Sequence, residues 1–438
     1  MFYGSKIRSM VANHAGLISS LGHVYIDDDT IHHLLSGAEP LFPNLTRLDI
    51  SLLEFDTPAV YPQLLIGTAL RDLYVDYDPD EVHTFAPFSV WSNIARILPI
   101  ATHLHSLRFS SDIRTDYQTP FNALRLLLPS LCASHSLVKL AVPSDFDLVT
   151  LQHFAMTRSL VELEFAVPSA IIRQFLSATS LSTGIFENLE QLEVETDDLG
   201  ALQSLLELDG FGSLQGLCIH HNDSSIPYDL CHLFTCLLRK DRLTQIEEVI
   251  IDNMDLPGPP TPTLNGSYIL FPLCQLPNLT TVHVDMHGSI SLNDTILNAM
   301  VDAWPHLKRL QLYDWSDPTV PVSSFITPEG MLSLAKCRYL TSLALRVNAC
   351  GPLPDLSTIS YPRYGEKLTI FCLCRSPGLH PIRLTGFLRV LFPNLRNLSY
   401  GYQRGHRLFA SIGNLGLLEQ EYFECWREVW RLITDGTF

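Results

Sequence analysis

The stretches LTTVHV at residues 279–284, LKRLQL at 307–312 and LTSLAL at 340–345 share one spacing of apolar residues, L-x-x-L-x-L. Alternate residues of a strand point to the same face, so this spacing predicts strands that bury apolar side chains on one side. Between the stretches, residues 291–305 and 327–337 repeat apolar residues every three or four positions, which indicates helices. The sequence therefore predicts a repeating unit of strand, loop and helix.

The same spacing continues through most of the chain at a mean interval of about 29 residues. One unit cannot bury its own apolar side, whereas stacked units share a continuous core. We therefore predict an α/β leucine-rich-repeat solenoid, a ribonuclease-inhibitor-like horseshoe with a parallel concave sheet and outer helices. The predicted strands begin at Leu21, Leu45, Leu70, Leu104, Leu137, Leu160, Leu189, Leu214, Ile246, Leu279, Leu307, Leu340, Leu368 and Leu395.

The predicted solenoid spans residues 21–410, between a linker or capping segment at 1–20 and a capping segment at 411–438. Within the last segment, LLEQEYFECWREVWRLI at 417–433 has one strongly apolar helical face. Such a helix is typical of the cap that closes the open end of a repeat core. The alternative interpretation is a helix that docks a partner protein.

Two helix starts have recognisable capping residues. Ser291 to Asp294 fits a capping box at the start of the helix over residues 291–305. Thr327 is the predicted N-cap of the following helix, and Pro328 is its predicted first residue. These positions predict where the two helices begin.

Composition limits the classes of partner. The chain has 438 residues, and its 29 basic and 46 acidic residues give a net charge of −17. A chain this acidic is poorly suited to nucleic acid or to an anionic membrane, since both need lysine and arginine. The sequence contains no clear secretory signal and no apolar run of about 18 residues. We therefore expect a protein partner, a cytoplasmic or nuclear location, and reduced cysteines.

The chemistry-bearing residues do not form a recognisable catalytic or metal-binding motif in the sequence. It contains no GxSxG, HExxH, GxxxxGK[ST] or GxGxxG pattern. The histidine pairs, such as His220 with His221, lack the further cysteine or carboxylate ligands at the spacing that zinc sites show. The prediction is therefore a protein with no enzyme activity, no metal and no cofactor.

Acidic residues occupy several strand positions that the repeat directs away from the core. In L-x-x-L-x-L, alternation sends positions three, five and seven to the other face of the sheet. One interpretation is a solvated acidic face, and the other is a binding stripe on the concave sheet for a basic segment of a partner. The stripe residues are Glu162, Glu164, Glu193, Glu195, Glu248, Asp252 and Asp285.

Several phrases of the chain resemble the repeat portion of F-box proteins of mushroom-forming fungi. They are LFPNLTRLDI, LPNLTTVHVDM, LNDTILNAMVDAWPHLKRLQL, TPEGMLSLAKCRYLTSLALRV, and LFPNLRNLSY with a late WREVW. In that family an N-terminal F-box binds the adaptor Skp1, and the repeats hold a substrate for ubiquitylation. The sequence starts at MFYGSKIRSMV, which resembles the linker that follows an F-box.

The resemblance implies a protein-binding module like the substrate-recognition part of an SCF-type ubiquitin ligase adaptor. Skp1 is an expected partner only if an F-box lies upstream of this chain. The alternative is a free-standing leucine-rich-repeat scaffold with no link to ubiquitylation. An F-box in the genomic sequence upstream of Met1 would favour the first hypothesis over the second.

Overall fold

The structure, a computed structural model, divides into two compact units. Unit 1 comprises Met1–Thr196 with Leu208–Leu214, and unit 2 comprises Asp197–Glu207 with Gln215–Phe438. The residues that the structure describes are 8–12, 17–19, 22–24, 42–51, 66–77, 98–111, 136–178, 184–221, 227–239, 245–253, 264–286, 290–314, 326–355, 365–374, 376–400 and 417–435.

Unit 1 is built on a sheet of parallel strands. The described strands are β1 (Ser9–Ala12), β2 (Leu17–Ser19), β3 (Gly22–Val24), β4 (Arg47–Ser51), β5 (Asp72–Tyr77), β6 (Ser106–Ser111), β7 (Lys139–Asp145), β8 (Glu162–Ala166) and β9 (Gln191–Thr196). Within the unit, the parallel sheet has the order β1-β4-β5-β6-β7-β8-β9. Strands β2 and β3 form a separate antiparallel pair. Each parallel strand therefore lies beside the next one in the sequence, apart from this pair.

Unit 2 repeats the arrangement. Its described strands are β10 (Gly216–His221), β11 (Glu248–Asn253), β12 (Leu264–Asn265), β13 (Thr281–Met286), β14 (Ile290–Ser291), β15 (Arg309–Asp314), β16 (Ser342–Ala344), β17 (Ile370–Cys372) and β18 (Asn397–Ser399). Seven of them form a parallel sheet in the order β10-β11-β13-β15-β16-β17-β18, and β12 pairs with β14. Neither unit's sheet, as far as it is described, closes into a barrel. The prediction of an α/β fold with parallel strands is confirmed.

Helices occupy connections between the strands. In unit 1 they are α1 (Leu148–Met156) and α2 (Ser169–Ala178). In unit 2 they are α3 (Leu199–Leu206), α4 (Pro227–Arg239), α5 (Gly266–Leu270), α6 (Asp294–Ala303), α7 (Pro328–Met331), α8 (Pro381–Leu391) and α9 (Leu417–Asp435). The sequence also predicts helices at residues 89–98 and 119–134 from their apolar spacing. Both stretches lie outside the described residues, apart from a short 3₁₀ turn at Leu98–Ile100.

The repeated apolar spacing forms the core. Apart from the short pair β12 and β14, each parallel strand from β4 onward coincides with one predicted L-x-x-L-x-L stretch. Leu310 and Leu312 of β15 are 0% and 2% exposed, and buried apolar residues of α6 such as Leu297 and Met300 belong to the same core. In β8 the half-buried and buried residues alternate, as the pattern requires. The strand register predicted from the leucines is thus the one that the chain adopts.

Side-chain caps set where α6 and α7 begin. The prediction is confirmed at α7, where Thr327 is the N-cap and accepts a hydrogen bond from Gly330 N, and Pro328 is the first residue. At α6 the predicted capping box is wrong, because Asn293 is the N-cap and its Oδ1 accepts from Ile296 N at 2.9 Å. The carboxylate of Asp294 instead accepts two hydrogen bonds from Thr327, from the backbone N at 2.8 Å and from Oγ1 at 2.7 Å.

The N-terminal strand of the sheet differs from the prediction. The strand expected from Leu21 onward is represented by β3, which pairs with β2 and not with β4. The strand beside β4 is β1, with Met10 opposite Leu48, in a segment that the sequence predicted as a linker or capping segment. A physical reason is that antiparallel pairing needs only a short turn, whereas a parallel pair needs a long crossover.

Helix α9 packs on α8 in unit 2. Val429 is fully buried, and Trp426 is buried with its Nε1–H donating to Ser376 O at 2.8 Å. Arg389 of α8 donates through Nη2 to Leu432 O at 2.7 Å. The side chain of Trp430 is 46% exposed, so the two tryptophans do not share one exposed docking face. These contacts are those of a helix that covers the adjacent repeat.

Buried thiols give unit 2 an alkaline limit to its stability. Burial raises the pKa of Cys337 to about 12 and that of Cys274 to about 11, above the ordinary value of 9. A thiol whose pKa is raised by folding ionises first in the unfolded chain. The stability that such a thiol contributes to the folded state is therefore fully present below pH 9, and it is lost as the pH rises toward the folded-state pKa.

We expect the free energy of unfolding to fall above about pH 9, with Cys337 contributing a slope of up to about 1.4 kcal/mol per pH unit. The measurement is urea unfolding at several pH values from 7 to 11 for the wild type and for Cys337→Ala. The variant should be less stable at pH 7 but should lose stability more slowly above pH 9. Equal slopes for the two proteins would contradict the assignment.

Candidate functional site

In unit 1 the face of the sheet opposite the leucines carries a row of charged side chains. Lys139 of β7 forms an ion pair with Glu162, its register partner in β8. Arg108 of β6 reaches across the small Ala141 of β7 to Glu164 of β8, with Nη2 and Oε2 4.0 Å apart. We call these four charged residues, Arg108, Lys139, Glu162 and Glu164, the charged ladder. The side chains of its two glutamates are about one-third exposed, and those of Arg108 and Lys139 are slightly more than half exposed.

The predicted acidic stripe continues from β8 to β9. Glu193 of β9 is the register partner of Glu164, and Glu195 is opposite Ala166. All four glutamates of these two strands are half-buried. The structure therefore brings together the four stripe residues of unit 1, and it adds basic neighbours, so the surface carries both signs of charge.

In unit 2 the stripe positions are less exposed. Glu248 and Asp252 of β11 are half-buried, whereas Asp285 of β13 is only 1% exposed. The expectation that Asp285 lies on an exposed face is therefore wrong. Its register partner Tyr313 is also buried, so this position of the sheet is covered where the sequence pattern alone predicted solvent contact.

The structure groups Asp252 and Asp285 with a histidine that the sequence analysis did not single out. One carboxylate oxygen of each aspartate and one ring nitrogen of His283 all lie within 4.8 Å of one another. His283 and Asp285 are two residues apart on β13, and Asp252 of β11 is the register partner of Asp285. We call Asp252, His283 and Asp285 the Asp–His–Asp cluster. Its donor atoms are of the types that bind divalent cations.

A chain of hydrogen bonds sets the orientation of the His283 ring. Nδ1 of His283 donates to Oε1 of Gln311 at 2.9 Å, and Nε2 of Gln311 donates to Oγ of Ser342 at 3.2 Å. The ring also contacts Tyr313, with ring centroids 5.3 Å apart. With the proton on Nδ1, the lone pair is on Nε2, which is buried and has no hydrogen-bond partner among the described residues.

A second histidine lies beside the cluster. Nδ1 of His220 in β10 is 3.6 Å from Oδ2 of Asp252, and both side chains are about one-fifth exposed. His220 is the register partner of Asp252, so the contact follows directly from the parallel pairing of β10 with β11. Its neighbour His221 points to the buried side of the strand. Alternation therefore places His220 and His221 on opposite faces of the strand, although they are adjacent in the sequence.

Two cysteines form a further close pair on the same sheet. Sγ of Cys374 lies 4.0 Å from Sγ of Cys372, and both residues are buried. Cys374 has a left-handed backbone conformation, with φ of 46°. The hydrogen bond from the Cys374 thiol lowers the pKa of Cys372, against the opposing effect of burial. No described cysteine is in a disulfide, consistent with the expectation of reduced thiols.

No protein-family model matches the chain, and no curated protein matches it. Within the described part of the chain, every helix is too short or too polar to cross a membrane. The charged ladder and the Asp–His–Asp cluster are therefore the two candidate functional sites.

Proposed function

We propose that this chain is a leucine-rich-repeat module that binds a protein partner through the charged ladder and the adjoining Glu193 and Glu195. The observation that carries the proposal is the register of β6 to β9, which aligns charged side chains on one face of a parallel sheet. The buried L-x-x-L-x-L spacing and the mean period of about 29 residues support the repeat assignment.

The chemistry of the ladder favours a partner with a basic segment. Four glutamates of β8 and β9 face two cations, Arg108 and Lys139. The ladder and its neighbours therefore have an excess of negative charge. A lysine- or arginine-rich segment would be attracted to this face, and charge of this kind mainly increases the association rate and the selectivity.

The ion pairs in the ladder do not prevent such binding. Exposed pairs contribute at most about 1 kcal/mol, since solvent screens them and two side chains must be ordered. The side chains of Lys139 and Arg108 are each more than half exposed. A partner's lysine or arginine can therefore replace them at Glu162 or Glu164 with little loss of stability.

Reversing two charges of the ladder tests the proposal. We expect Glu162→Lys with Glu164→Lys to weaken binding of basic peptides, selected on the wild type from an unbiased peptide library, by at least about tenfold at low salt. The reason is that the two new lysines would lie beside Lys139 and Arg108. These four cations together would repel a basic segment. The difference should shrink as salt is added, because screening acts over about 8–10 Å at physiological strength.

The matched control is Glu247→Lys with Glu366→Lys, which makes the same charge change at exposed positions of unit 2. This control should bind like the wild type, and circular dichroism should show both variants folded. Equal binding by the ladder variant and the wild type would contradict the proposal. Selection of acidic or uncharged peptides by the wild type would contradict the preference for a basic partner.

The resemblance to F-box proteins extends the proposal to substrate recognition in an SCF-type ubiquitin ligase. The alternative is a free-standing scaffold that binds proteins without this link. Sequencing the complete transcript distinguishes them: an F-box encoded in frame upstream would support the ligase role and predict Skp1 binding by the longer protein. A transcript without one would favour the scaffold.

A further inference from the structure

We infer that the Asp–His–Asp cluster of unit 2 binds one divalent transition-metal ion, with Zn²⁺ as the best match. The cluster belongs to β11 and β13 of unit 2, whereas the charged ladder belongs to unit 1, and the inference does not depend on the proposed protein-binding function. The ligands are Asp252, His283 and Asp285, and Gln311 positions the imidazole.

The spacing of the donor atoms fits a single ion. Atoms that each lie about 2.1 Å from a tetrahedral zinc ion are about 3.4 Å apart. The three donor atoms lie within 4.8 Å of one another. A contraction of up to about 1.4 Å would therefore bring them into ligating positions. Asp252 is half-buried, so its carboxylate can rotate toward the other two donor atoms and supply part of this contraction.

The imidazole is already oriented as a metal ligand. Histidine ligands nearly always donate their other ring N–H to an oxygen, which fixes the tautomer and the ring plane. His283 makes this contact through Nδ1 to Gln311, and Gln311 is in turn held by Ser342. The lone pair is left on Nε2, a buried atom without a hydrogen-bond partner in the described part of the protein. His283, Gln311 and Ser342 lie on the neighbouring strands β13, β15 and β16 of the parallel sheet, so the fold sets the orientation of the imidazole ring.

Charge and donor type select the class of ion. Two carboxylates at this separation repel each other, and a divalent cation between them offsets both charges. Calcium and magnesium prefer oxygen ligands alone, whereas an imidazole with carboxylates suits zinc and its neighbours in the first transition series. Three protein ligands also leave one position of a tetrahedral zinc ion for water or another ligand.

Zinc titration of the protein stripped with a chelator tests the inference. We expect the wild type to bind one more equivalent of Zn²⁺ than His283→Gln or Asp252→Asn, by calorimetry and by metal analysis after gel filtration. Zinc should also raise the melting temperature of the wild type more than that of either variant. Gln311→Ala keeps all three ligands and should weaken the site by about 10–100-fold, the usual effect of removing such an orienting partner.

The matched control is His232→Gln, at an exposed position of α4, which should retain the wild-type stoichiometry and affinity. Co²⁺ serves as a spectroscopic probe, because a thiolate ligand adds an intense charge-transfer band that a site of oxygen and nitrogen lacks. The bound ion should lack this band. The inference would be overturned if folded His283→Gln and Asp252→Asn bound as many zinc ions as the wild type. It would also be overturned if the Co²⁺ ion bound at this site showed a thiolate charge-transfer band.

Discussion

Trp304→Ala is expected to destabilise unit 2 by about 3–5 kcal/mol, the range for removing a large aromatic side chain from a core. Trp304 is 0% exposed and is among the largest fully buried side chains of the described residues. It is the C-cap residue of α6 and lies before β15, so its buried ring belongs to the core where the chain returns from this helix to the sheet. Alanine would leave a cavity that the surrounding repeats can close only in part.

A lost hydrogen bond adds to the effect. Nε1–H of Trp304 donates to Leu273 O at 3.1 Å, and both groups are inside the protein. Without the indole, the carbonyl of Leu273 keeps its hydrogen bond from Leu276 N at 3.0 Å and loses its second donor, which adds about 1 kcal/mol. The total loss should therefore lie toward the upper end of the range.

The measurement is chemical unfolding followed by circular dichroism, with Trp430→Ala as the control. Trp430 is 46% exposed on α9, so its replacement removes the same atoms with a much smaller loss of burial. We expect the control to change the unfolding free energy by less than about 1 kcal/mol. Similar losses for the two variants would mean that Trp304 does not have the core position assigned to it.

The parallel strands could be predicted from sequence because their apolar spacing has a physical cause. Each strand buries leucine-like side chains on one face, and the pattern recurs in every sequence repeat, as at Leu307 to Leu312 and Leu340 to Leu345. The N-terminal pairing could not be predicted in this way. Strands β2 and β3 have three residues each, too few to show a period.

The Asp–His–Asp cluster was missed for a different reason. Its residues come from two strands about 30 residues apart in sequence, so no local motif contains them. Each residue by itself has an ordinary explanation as a surface histidine or a solvated carboxylate. The signal was present in the register of the repeats. Asp252 and Asp285 both occupy position seven of their L-x-x-L-x-L repeats, and His283 occupies position five. Reading equivalent positions across consecutive repeats would have placed them together.

Gly210→Ala is expected to be strongly destabilising in unit 1, because a backbone carbonyl occupies the place of the new methyl group. A Cβ at Gly210 would lie 1.7 Å from Ile185 O and 2.7 Å from Ile185 C. Adding a methylene to a packed core usually costs about 1–3 kcal/mol when side chains can shift. Here the obstructing atoms are backbone, and Phe186 and Phe211 on either side are stacked with ring centroids 5.0 Å apart. We therefore expect a loss above that range.

Gly386→Ala is the matched control for this substitution. Gly386 is exposed within α8, and a Cβ there meets no atom within 4 Å. Alanine is favoured over glycine in a helix interior by about 1 kcal/mol, so this variant should be more stable than the wild type. The two Gly→Ala changes should thus have opposite signs in urea unfolding, although they add the same atoms. A Gly210→Ala protein as stable as the wild type would show that the 184–186 segment is not held against Gly210 as the structure places it.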